Sequence, residues 1–410
     1  MKRFRFLLIP LVLALIFPAL AQSATKTIYV KTMTRLATLS DAEQVSGMLV
    51  NGKIIYLFGT VSGEQGTDGF VRTIDGEGAT QWSLSLDTGA DDIATTATRD
   101  TSGNIWVVGS TAKLVTNVSS PSASPSSSIL NPDGVTLDPE LPLRNDLTTV
   151  VIWKVSASGV LLATYISDLA HTVLVRAVTA TSTGIALVGI ISTVSGNAGF
   201  VLQSDFTGTF AKPLLIGKSD TEVNALAKKS NGSLVVLGSS TETISGKVLQ
   251  GARDGIIASV SAKGKLTSLV RSSNSKSVRS WQSATNSLFF GGDAVLNGKI
   301  EAVVTKFSSA IVPTWTTRFS AKGPAFTFSI SARSHVMAFS PIGAIKGVKG
   351  WKPSKDQVLA LIFDGKGVLT GAYRATAIQT PIAMGYSRDL GLVVLGSGAI
   401  GVSIFHALPR

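Results

Sequence analysis

The chain has 410 residues, no cysteine, only 15% charged residues and a formal net charge of +12. The lack of cysteine excludes disulfides, thiolate metal sites, a cysteine nucleophile and a lipid-modified cysteine. The low charge fraction, together with 40 glycines and 44% hydrophobic residues, is typical of many short strands joined by tight turns.

The first residues have the layout of a secretory signal peptide. A basic start is followed by an apolar run over residues 7–20 and by small residues suited to cleavage at positions 19–21. The apolar run is shorter than the roughly 20 residues that span a bilayer. We therefore expect a cleaved signal over residues 1–21 and a secreted or envelope-associated protein with no transmembrane span. An uncleaved membrane anchor is the alternative.

A short apolar strand that ends in Gly recurs along the chain. Its copies follow at a step of roughly 50 residues, which is within the range of propeller blades. The step from Gly109 to Gly189 is longer because it contains an insertion, and Ser340 replaces Gly in the sixth copy. The seven copies end at Gly59, Gly109, Gly189, Gly238, Gly292, Ser340 and Gly396.

Each copy is followed by a second apolar strand, a turn that often contains Gly, and two further strands. The unit is thus a four-stranded antiparallel sheet, which cannot bury both of its faces alone. Seven such sheets packed around an axis can do so. The predicted fold class is all-β: a seven-bladed β-propeller with four antiparallel strands per blade, in a single domain over residues 26–410. The Ser/Pro-rich insertion lies at about residues 112–147.

The two ends of the chain are expected to close the ring. The terminal stretch GVSIFHALPR supplies only the third strand of the last blade, and KTIYVKTMTRL near the start of the mature chain can supply the outer strand. We therefore predict that residues 27–36 pair with residues 401–407 and that the first blade begins near Glu43. This pairing would hide an exposed sheet edge.

Residues 68–111 resemble the bacterial seven-bladed β-propeller repeat known as the SBBP repeat, and the other six units match it only in degenerate form. The resemblance implies a propeller fold and an exported or surface-associated protein, often without an assigned activity, and it transfers no catalytic residue. The matching residues are Asp68, Phe70, Val71, Asp75, Gly78, Trp82, Asp92, Gly103, Asn104, Trp106, Gly109 and Thr111.

Motifs for cofactor or metal chemistry are few. A G-x-G-x-x-G ends at Gly401, but no acidic residue follows it and its first Gly belongs to the repeat, so no nucleotide site is predicted. His171, His335 and His406 lie in different blades without metal-ligand spacing. We expect no cofactor, no metal and no nucleic-acid partner, and we assign no catalytic residue.

Acidic residues cluster before the innermost strands. They would bind calcium or act as a general acid/base pair near the axis, or they would serve turn chemistry by accepting hydrogen bonds from nearby backbone N–H groups. Their recurrence in several blades favours turn chemistry. These residues are Asp87, Asp91, Asp92, Asp168, Asp220 and Glu222.

Two groups of basic residues are candidate ligand-binding sites. The first is a loop of the sixth blade in which Lys349 and Lys352 flank Trp351. If Trp351 is exposed, it would stack on a sugar or help to bind an anionic polymer. Otherwise it would pack under its own loop. The second is a ring of basic residues at the turns after the innermost strands, where a polyanion would bind at the channel mouth. Its members are Arg99, Lys228, Lys229, Arg333 and Arg388.

These observations favour a non-catalytic binding or scaffolding propeller that acts at the cell envelope or outside the cell. Removal of the signal lowers the net charge by three, to +9, so an anionic envelope polymer, a glycan or another envelope protein is the expected partner. The alternative is an exported enzyme, such as a lyase, lactonase or glycosidase, with its active site on the face that bears the insertion. A monomer is expected.

Overall fold

The computed structural model describes residues 27–40, 42–63, 66–113, 144–273, 275–354 and 357–408, and the backbone of residues 129–130 and 136–137. The predicted signal peptide and most of the predicted insertion lie outside these residues. Among the described residues, no helix has the length and apolar character that crossing a membrane requires.

The strands follow one another in seven groups after an N-terminal segment. That segment contains β1 (Ile28–Tyr29), β2 (Lys31–Thr32) and β3 (Thr34–Thr38). Blade 1 consists of β4 (Glu43–Asn51), β5 (Ile54–Ser62), β6 (Thr67–Ile74) and β7 (Thr80–Leu86). Blade 2 begins with β8 (Asp92–Arg99) and β9 (Ile105–Thr111), continues through the short pair β10 (Ile129–Leu130) and β11 (Thr136–Leu137), and ends with β12 (Thr149–Val155) and β13 (Leu161–Asp168).

The next two blades are regular. Blade 3 consists of β14 (Val173–Ala180), β15 (Gly184–Thr193), β16 (Gly196–Asp205) and β17 (Leu214–Ile216). Blade 4 consists of β18 (Thr221–Lys228), β19 (Leu234–Ser240), β20 (Asp254–Val260) and β21 (Leu266–Ser272).

The last three blades complete the series. Blade 5 consists of β22 (Ser277–Ala284), β23 (Phe289–Leu296), β24 (Lys299–Phe307) and β25 (Pro313–Ser320). Blade 6 consists of β26 (Phe326–Ser331), β27 (Ser334–Phe339), the short loop strand β28 (Val348–Lys349), β29 (Gln357–Asp364) and β30 (Leu369–Thr376). Blade 7 supplies β31 (Thr380–Ser387), β32 (Gly391–Gly398) and β33 (Gly401–Ala407).

The strands of each blade form an antiparallel sheet in sequence order. The first strands of neighbouring blades contact one another all the way round, and β31 of blade 7 contacts β4 of blade 1. The first strands are therefore innermost and the ring is closed. The predicted seven-bladed propeller with four antiparallel strands per blade is confirmed.

The N-terminal segment closes the ring in a different register from the predicted one. Only β3 pairs with β33, through Thr34–His406 and Thr38–Ser403. The residues before it run parallel to strands of blade 6, with β1 along β28 and β2 along β30. The predicted start of pairing at residue 27 was wrong because the segment first crosses the outer edge of blade 6 and reaches blade 7 only at residue 34.

The apolar core lies between the blades rather than at the centre of the ring. Among the described residues, seven clusters of buried side chains occupy the seven interfaces between neighbouring blades. Trp106 and Val150 of blade 2, for example, share one cluster with Val175 and Phe200 of blade 3. Each blade therefore buries its two faces against two neighbours, which one isolated sheet cannot do.

The recurrent Gly faces a β-bulge in the inner strand. The register of the inner strand shifts beside this Gly in six blades. A Cβ on Gly109 would lie 1.7 Å from the carbonyl oxygen of Ile93, a distance that no side chain tolerates. In blade 6 the bulge lies at the other end of the strand, between Ser329 and Ser331. This difference explains why Ser340 replaces Gly there.

Turns between third and fourth strands reuse one Asp-x-x-Gly arrangement. The carboxylate of Asp75 accepts hydrogen bonds from the backbone N–H groups of Glu77 and Ala79, both at 2.9 Å. Asp364 accepts in the same way from Lys366 and Val368. Gly78 adopts φ 88° in the first of these turns, a conformation that favours glycine. Short sequence signals thus determine these turns.

Candidate functional site

The strand order assigns every loop to one of two faces. Loops after second strands and loops after fourth strands lie on one face, which we call the insertion face, and the other turns lie on the turn face. The insertion, the loop of residues 241–253 and the loop that holds Trp351 all follow second strands, as predicted. Asp91, Asp168 and Asp220 share this face because they lie between fourth and first strands. Pro125, the predicted marker of the insertion, lies outside the described residues.

The carboxylates of the insertion face are bonded to basic side chains of neighbouring loops. Asp91 pairs with Arg144, and Lys113 Nζ lies 3.0 Å from the carboxylate of Asp168. A hydrogen bond from the backbone N–H of Ala170, reinforced by Lys113, holds the pKa of Asp168 below its ordinary value. These bonds connect the loops to one another.

Asp220 and Glu242 form a second set of such contacts on blade 4. Asp220 pairs with Arg253 and accepts from the Thr241 hydroxyl. Burial opposes the ionised form of Glu242, but backbone N–H groups of residues 218–220 and the hydroxyl of Thr221 donate to it and lower its pKa to about 2. The carboxylate thus acts as a cap for the loop between blades 3 and 4.

The described residues contain no group of three or more acidic or histidine side chains that could hold a metal ion. Of the three histidines considered in the sequence analysis, His335 is fully buried. Its ring stacks on that of Phe289 with centroids 5.0 Å apart, and its Nδ1 lies 3.1 Å from the hydroxyl of Ser329. Burial, with a smaller contribution from the charge of Lys306, lowers the pKa of His335 to about 4. The imidazole is therefore neutral at physiological pH.

The predicted basic ring lies on the turn face, at the ends of the innermost strands. Two of its ammonium groups are bonded to neighbouring blades: Lys228 Nζ donates to the carbonyl oxygen of Ala180 at 2.7 Å, and Lys229 Nζ donates to that of Ser309 at 2.8 Å. These lysines therefore connect blades as well as carrying charge. Ligand binding by the ring stays a prediction.

The other three members of the ring are exposed. The Nε of Arg99 donates to the carbonyl oxygen of Gly103 in its own turn, and Arg333 and Arg388 extend from their turns. Asp100, which follows Arg99, accepts hydrogen bonds from Asn104 and from the indole of Trp106. Its carboxylate is therefore used to hold the turn.

Trp351 does not form an exposed stacking surface. Its side chain is only 7% exposed and packs in the cluster between blades 5 and 6 with Ile28 and Ile345. The indole Nε1 donates to the carbonyl oxygen of Gly343 at 3.4 Å. Of the two alternatives stated for Trp351, the structure therefore shows the packed one: the indole lies beneath its own loop and anchors the loop that presents the lysines.

Lysines gather on the insertion face over blades 5 and 6. The predicted Lys349 and Lys352 are exposed there, and four further exposed lysines lie in loops or at a strand end on the same face of these blades. By contrast, the ion-paired carboxylates described above belong to blades 1 to 4. We call the lysine group the basic sector, and it consists of Lys276, Lys299, Lys322, Lys346, Lys349 and Lys352.

Backbone hydrogen bonds connect the loops of the basic sector. Ala321 N–H donates to Ile300 at 3.0 Å, and Lys322 N–H donates to Ser340 at 2.9 Å. The loop of blade 6 is further held by the parallel pairing of β1 with β28. The sector is thus a constrained rim rather than a set of independent loops. The sequence reasoning missed Lys299 and Lys322 because neither lies in a basic cluster along the chain; only the register of the blades brings them together.

No family model and no curated protein matches the chain. Solved structures similar to it include Chaetomium thermophilum Sqt1 bound to the N-terminus of the ribosomal protein L10, with TM-score 0.47, 11% identity and coverage of 92% of this chain and 100% of that chain. YCF48 bound to D1 peptide has TM-score 0.46, 11% identity and coverage of 96% and 100%.

The β-propeller domain of Nup133 from Vanderwaltozyma polyspora has TM-score 0.47, 12% identity and coverage of 92% of this chain and 97% of that chain. At such identities the similarity concerns the fold alone. The chain is a seven-bladed β-propeller, and its likeness to the SBBP repeat remains a resemblance of one unit.

Proposed function

We propose that this protein is an exported, non-catalytic binding or scaffolding propeller that acts at the cell envelope or outside the cell, and that the basic sector binds an anionic polymer. The observation that carries the proposal is the gathering of six exposed lysines on the insertion face, where backbone hydrogen bonds connect the segments of Lys299 and Lys322 with the loop of blade 6. Export is supported by the basic start, apolar run and small residues of the first 21 positions.

The arrangement of charge suits a long, flexible anion. Several like charges on one surface produce an additive potential that attracts a polyanion and falls off over about 8–10 Å at physiological salt. On blades 1 to 4, carboxylates neutralise the basic side chains with which they pair, so this part of the face attracts the polymer less than the lysines over blades 5 and 6 do. Such binding is expected to be salt-sensitive, since exposed lysines act through screened electrostatics.

The competing hypothesis, an exported lyase, lactonase or glycosidase, needs carboxylates on the insertion face that can exchange protons with a substrate. Asp91, Asp168 and Asp220 are each paired with a basic side chain. Pairing occupies their oxygens, which favours the binding hypothesis. A glycan array on the mature protein would support the enzyme hypothesis if a bound glycan were cleaved.

The experiment compares the mature protein with two variants that each lack four positive charges. The measured quantity is the salt concentration at which each protein elutes from immobilised dextran sulfate. The sector variant replaces Lys299, Lys346, Lys349 and Lys352 with Gln. We expect it to elute at clearly lower salt, because each lost contact reduces the dependence on counterion release.

The matched control replaces four residues of the turn-face ring with Gln. We expect its elution to stay close to that of the unchanged protein. Equal losses in both variants would mean that retention reflects net charge, and a loss only in the control would assign binding to the ring; either result overturns the proposal for the basic sector. The replaced residues are Arg99, Lys229, Arg333 and Arg388.

A further inference from the structure

A cleft of about 160 Å³ lies between the outer parts of blades 4 and 5. It is separate from the basic sector, because none of the six sector lysines lines it. Ile257 and Val270 line it from blade 4, and Val303, Phe307 and Thr316 line it from blade 5. Three arginines and two hydroxyl side chains complete the lining, so the cleft combines apolar walls with basic and polar ones: Arg271, Arg279, Arg318, Ser272 and Thr305.

The inner wall of the cleft contains a buried cation. Arg279 is 4% exposed, and its guanidinium carbon lies 3.8 Å from the ring centroid of Trp281. Its Nη1 donates to the main-chain oxygens of Ser280 and Asp293, whereas its Nη2 is buried and has no hydrogen-bond partner in the described part of the chain. The indole Nε1 of Trp281 is likewise buried without a partner.

The charge of Arg279 is also incompletely balanced. Among the described residues, no carboxylate lies within ion-pair distance of its guanidinium, and a second cation, Arg318, lines the same cleft with its Nη1 3.6 Å from Glu301. Burial lowers the pKa of Arg279 to about 9; the charge of Asp293 partly offsets this shift, and the charge of Arg318 adds to it. The group therefore stays protonated at neutral pH, and a buried charge with an open donor is unfavourable until an anion pairs with it.

We propose that this cleft is a binding site for a small organic carboxylate whose apolar body has about six carbons. The carboxylate pairs with the guanidinium of Arg279 and takes its open donor, and the apolar body packs against Val303 and Phe307. The size follows from volume, since a cavity of about 150 Å³ is sufficient for benzene. A carboxylate suits the site because it can accept a charge-assisted hydrogen bond from the open Nη2 and pair with the positive charge.

The experiment is a titration of the mature protein with benzoate, followed by the indole N–H signals in a nitrogen–proton correlation spectrum. The chain has six Trp residues, so these signals are few. We expect the Trp281 signal to shift and saturate with benzoate. The Trp153 signal is the internal control, because its Nε1 is also buried without a partner among the described residues but lies in blade 2. Benzyl alcohol, which lacks the charge, should leave both signals in place.

Two variants test the assignment to the cleft. Arg279→Gln removes the cation, and Thr316→Trp places a bulky side chain in the cleft from an exposed position on β25, where the native hydroxyl bonds to that of Thr305 at 3.0 Å. Each should weaken benzoate binding by about tenfold or more, as expected for loss of a charge-assisted hydrogen bond or of the space for the ligand. Thr164→Trp, on the outer strand of blade 2, is the matched control and should bind normally.

Several results would overturn the proposal: no saturable shift of Trp281, an equal shift with benzyl alcohol, or unchanged binding by Thr316→Trp. The last variant keeps the test decisive even if Arg279→Gln fails to fold. The four-lysine sector variant should bind benzoate normally, so failure of the cleft proposal and failure of the proposed polymer binding are distinguishable.

Discussion

Replacing Gly109 with Ala tests the physical reason for the repeat. Gly109 lies on β9, opposite the bulge between Ala94 and Thr96 of the inner strand. A Cβ at this position would lie 1.7 Å from the carbonyl oxygen of Ile93 and 3.0 Å from the Cα of Ala94. Both are main-chain atoms, so no side-chain rotation can relieve the overlap.

The expected loss of stability follows from the distance by which the two strands must move apart. Non-bonded heavy atoms are normally about 3.5–4 Å apart, so the inner strand of blade 2 would have to move by more than 1 Å. Overpacking of this kind costs about 1–3 kcal/mol, and each ladder hydrogen bond that is broken costs about another 1 kcal/mol. If about two ladder hydrogen bonds break, Gly109→Ala should lower the free energy of unfolding by about 3–5 kcal/mol.

The assay is urea denaturation of the mature protein, monitored by far-ultraviolet circular dichroism and by tryptophan fluorescence. Gly323→Ala is the matched control, because a Cβ there would meet nothing within 4 Å, and it should change stability by no more than about 0.5 kcal/mol. The reasoning is refuted if Gly109→Ala is destabilised by less than about 1 kcal/mol relative to this control.

Two further predictions concern titrating groups. The pKa of His335 is lowered to about 4. The neutral imidazole therefore stabilises the fold fully above pH 6.5, and this contribution is lost as the pH falls toward 4. We expect about 3 kcal/mol of destabilisation by acid, and His335→Gln should remove it. Urea denaturation over this pH range measures it, and an unchanged pH slope in the variant would contradict it. The pKa of Glu242 is lowered to about 2. Its carboxylate therefore stabilises the fold fully above pH 4.5, and this contribution is lost as the pH falls through 2. Glu242→Gln should therefore cost about 2 kcal/mol at neutral pH and nothing near pH 2, and an equal cost at both pH values in the same assay would show that the carboxylate charge is not responsible.

The number of blades was readable from the sequence because short-range geometry determines its signals. A repeat strand must end in Gly wherever the inner strand bulges over it, and a tight turn must contain Asp and Gly at fixed spacing. Gly109 and Gly78 are examples, and neither depends on distant residues. Even the exception at Ser340 has a local cause, since the bulge of blade 6 is displaced.

The register of the N-terminal segment was only partly readable. The incomplete last blade predicted that a strand from the chain start would pair with β33, and β3 does so. Nothing in the local pattern separates residues 28–32 from residues 34–38, because both alternate in the manner of a strand. Contacts with blade 6, more than 300 positions away in sequence, decide where each part binds.

The sequence by itself thus determined the fold class, the repeat, the closure of the ring and the face on which each loop lies, because backbone geometry and strand alternation act over a few residues. Only the tertiary structure decided that Trp351 is buried, that Lys299 and Lys322 join the lysines of blade 6, and that Arg279 lines a cleft with its Nη2 unpaired among the described residues. Exposure and electrostatic pairing depend on which blades pack together, and residues far apart in the chain supply those contacts.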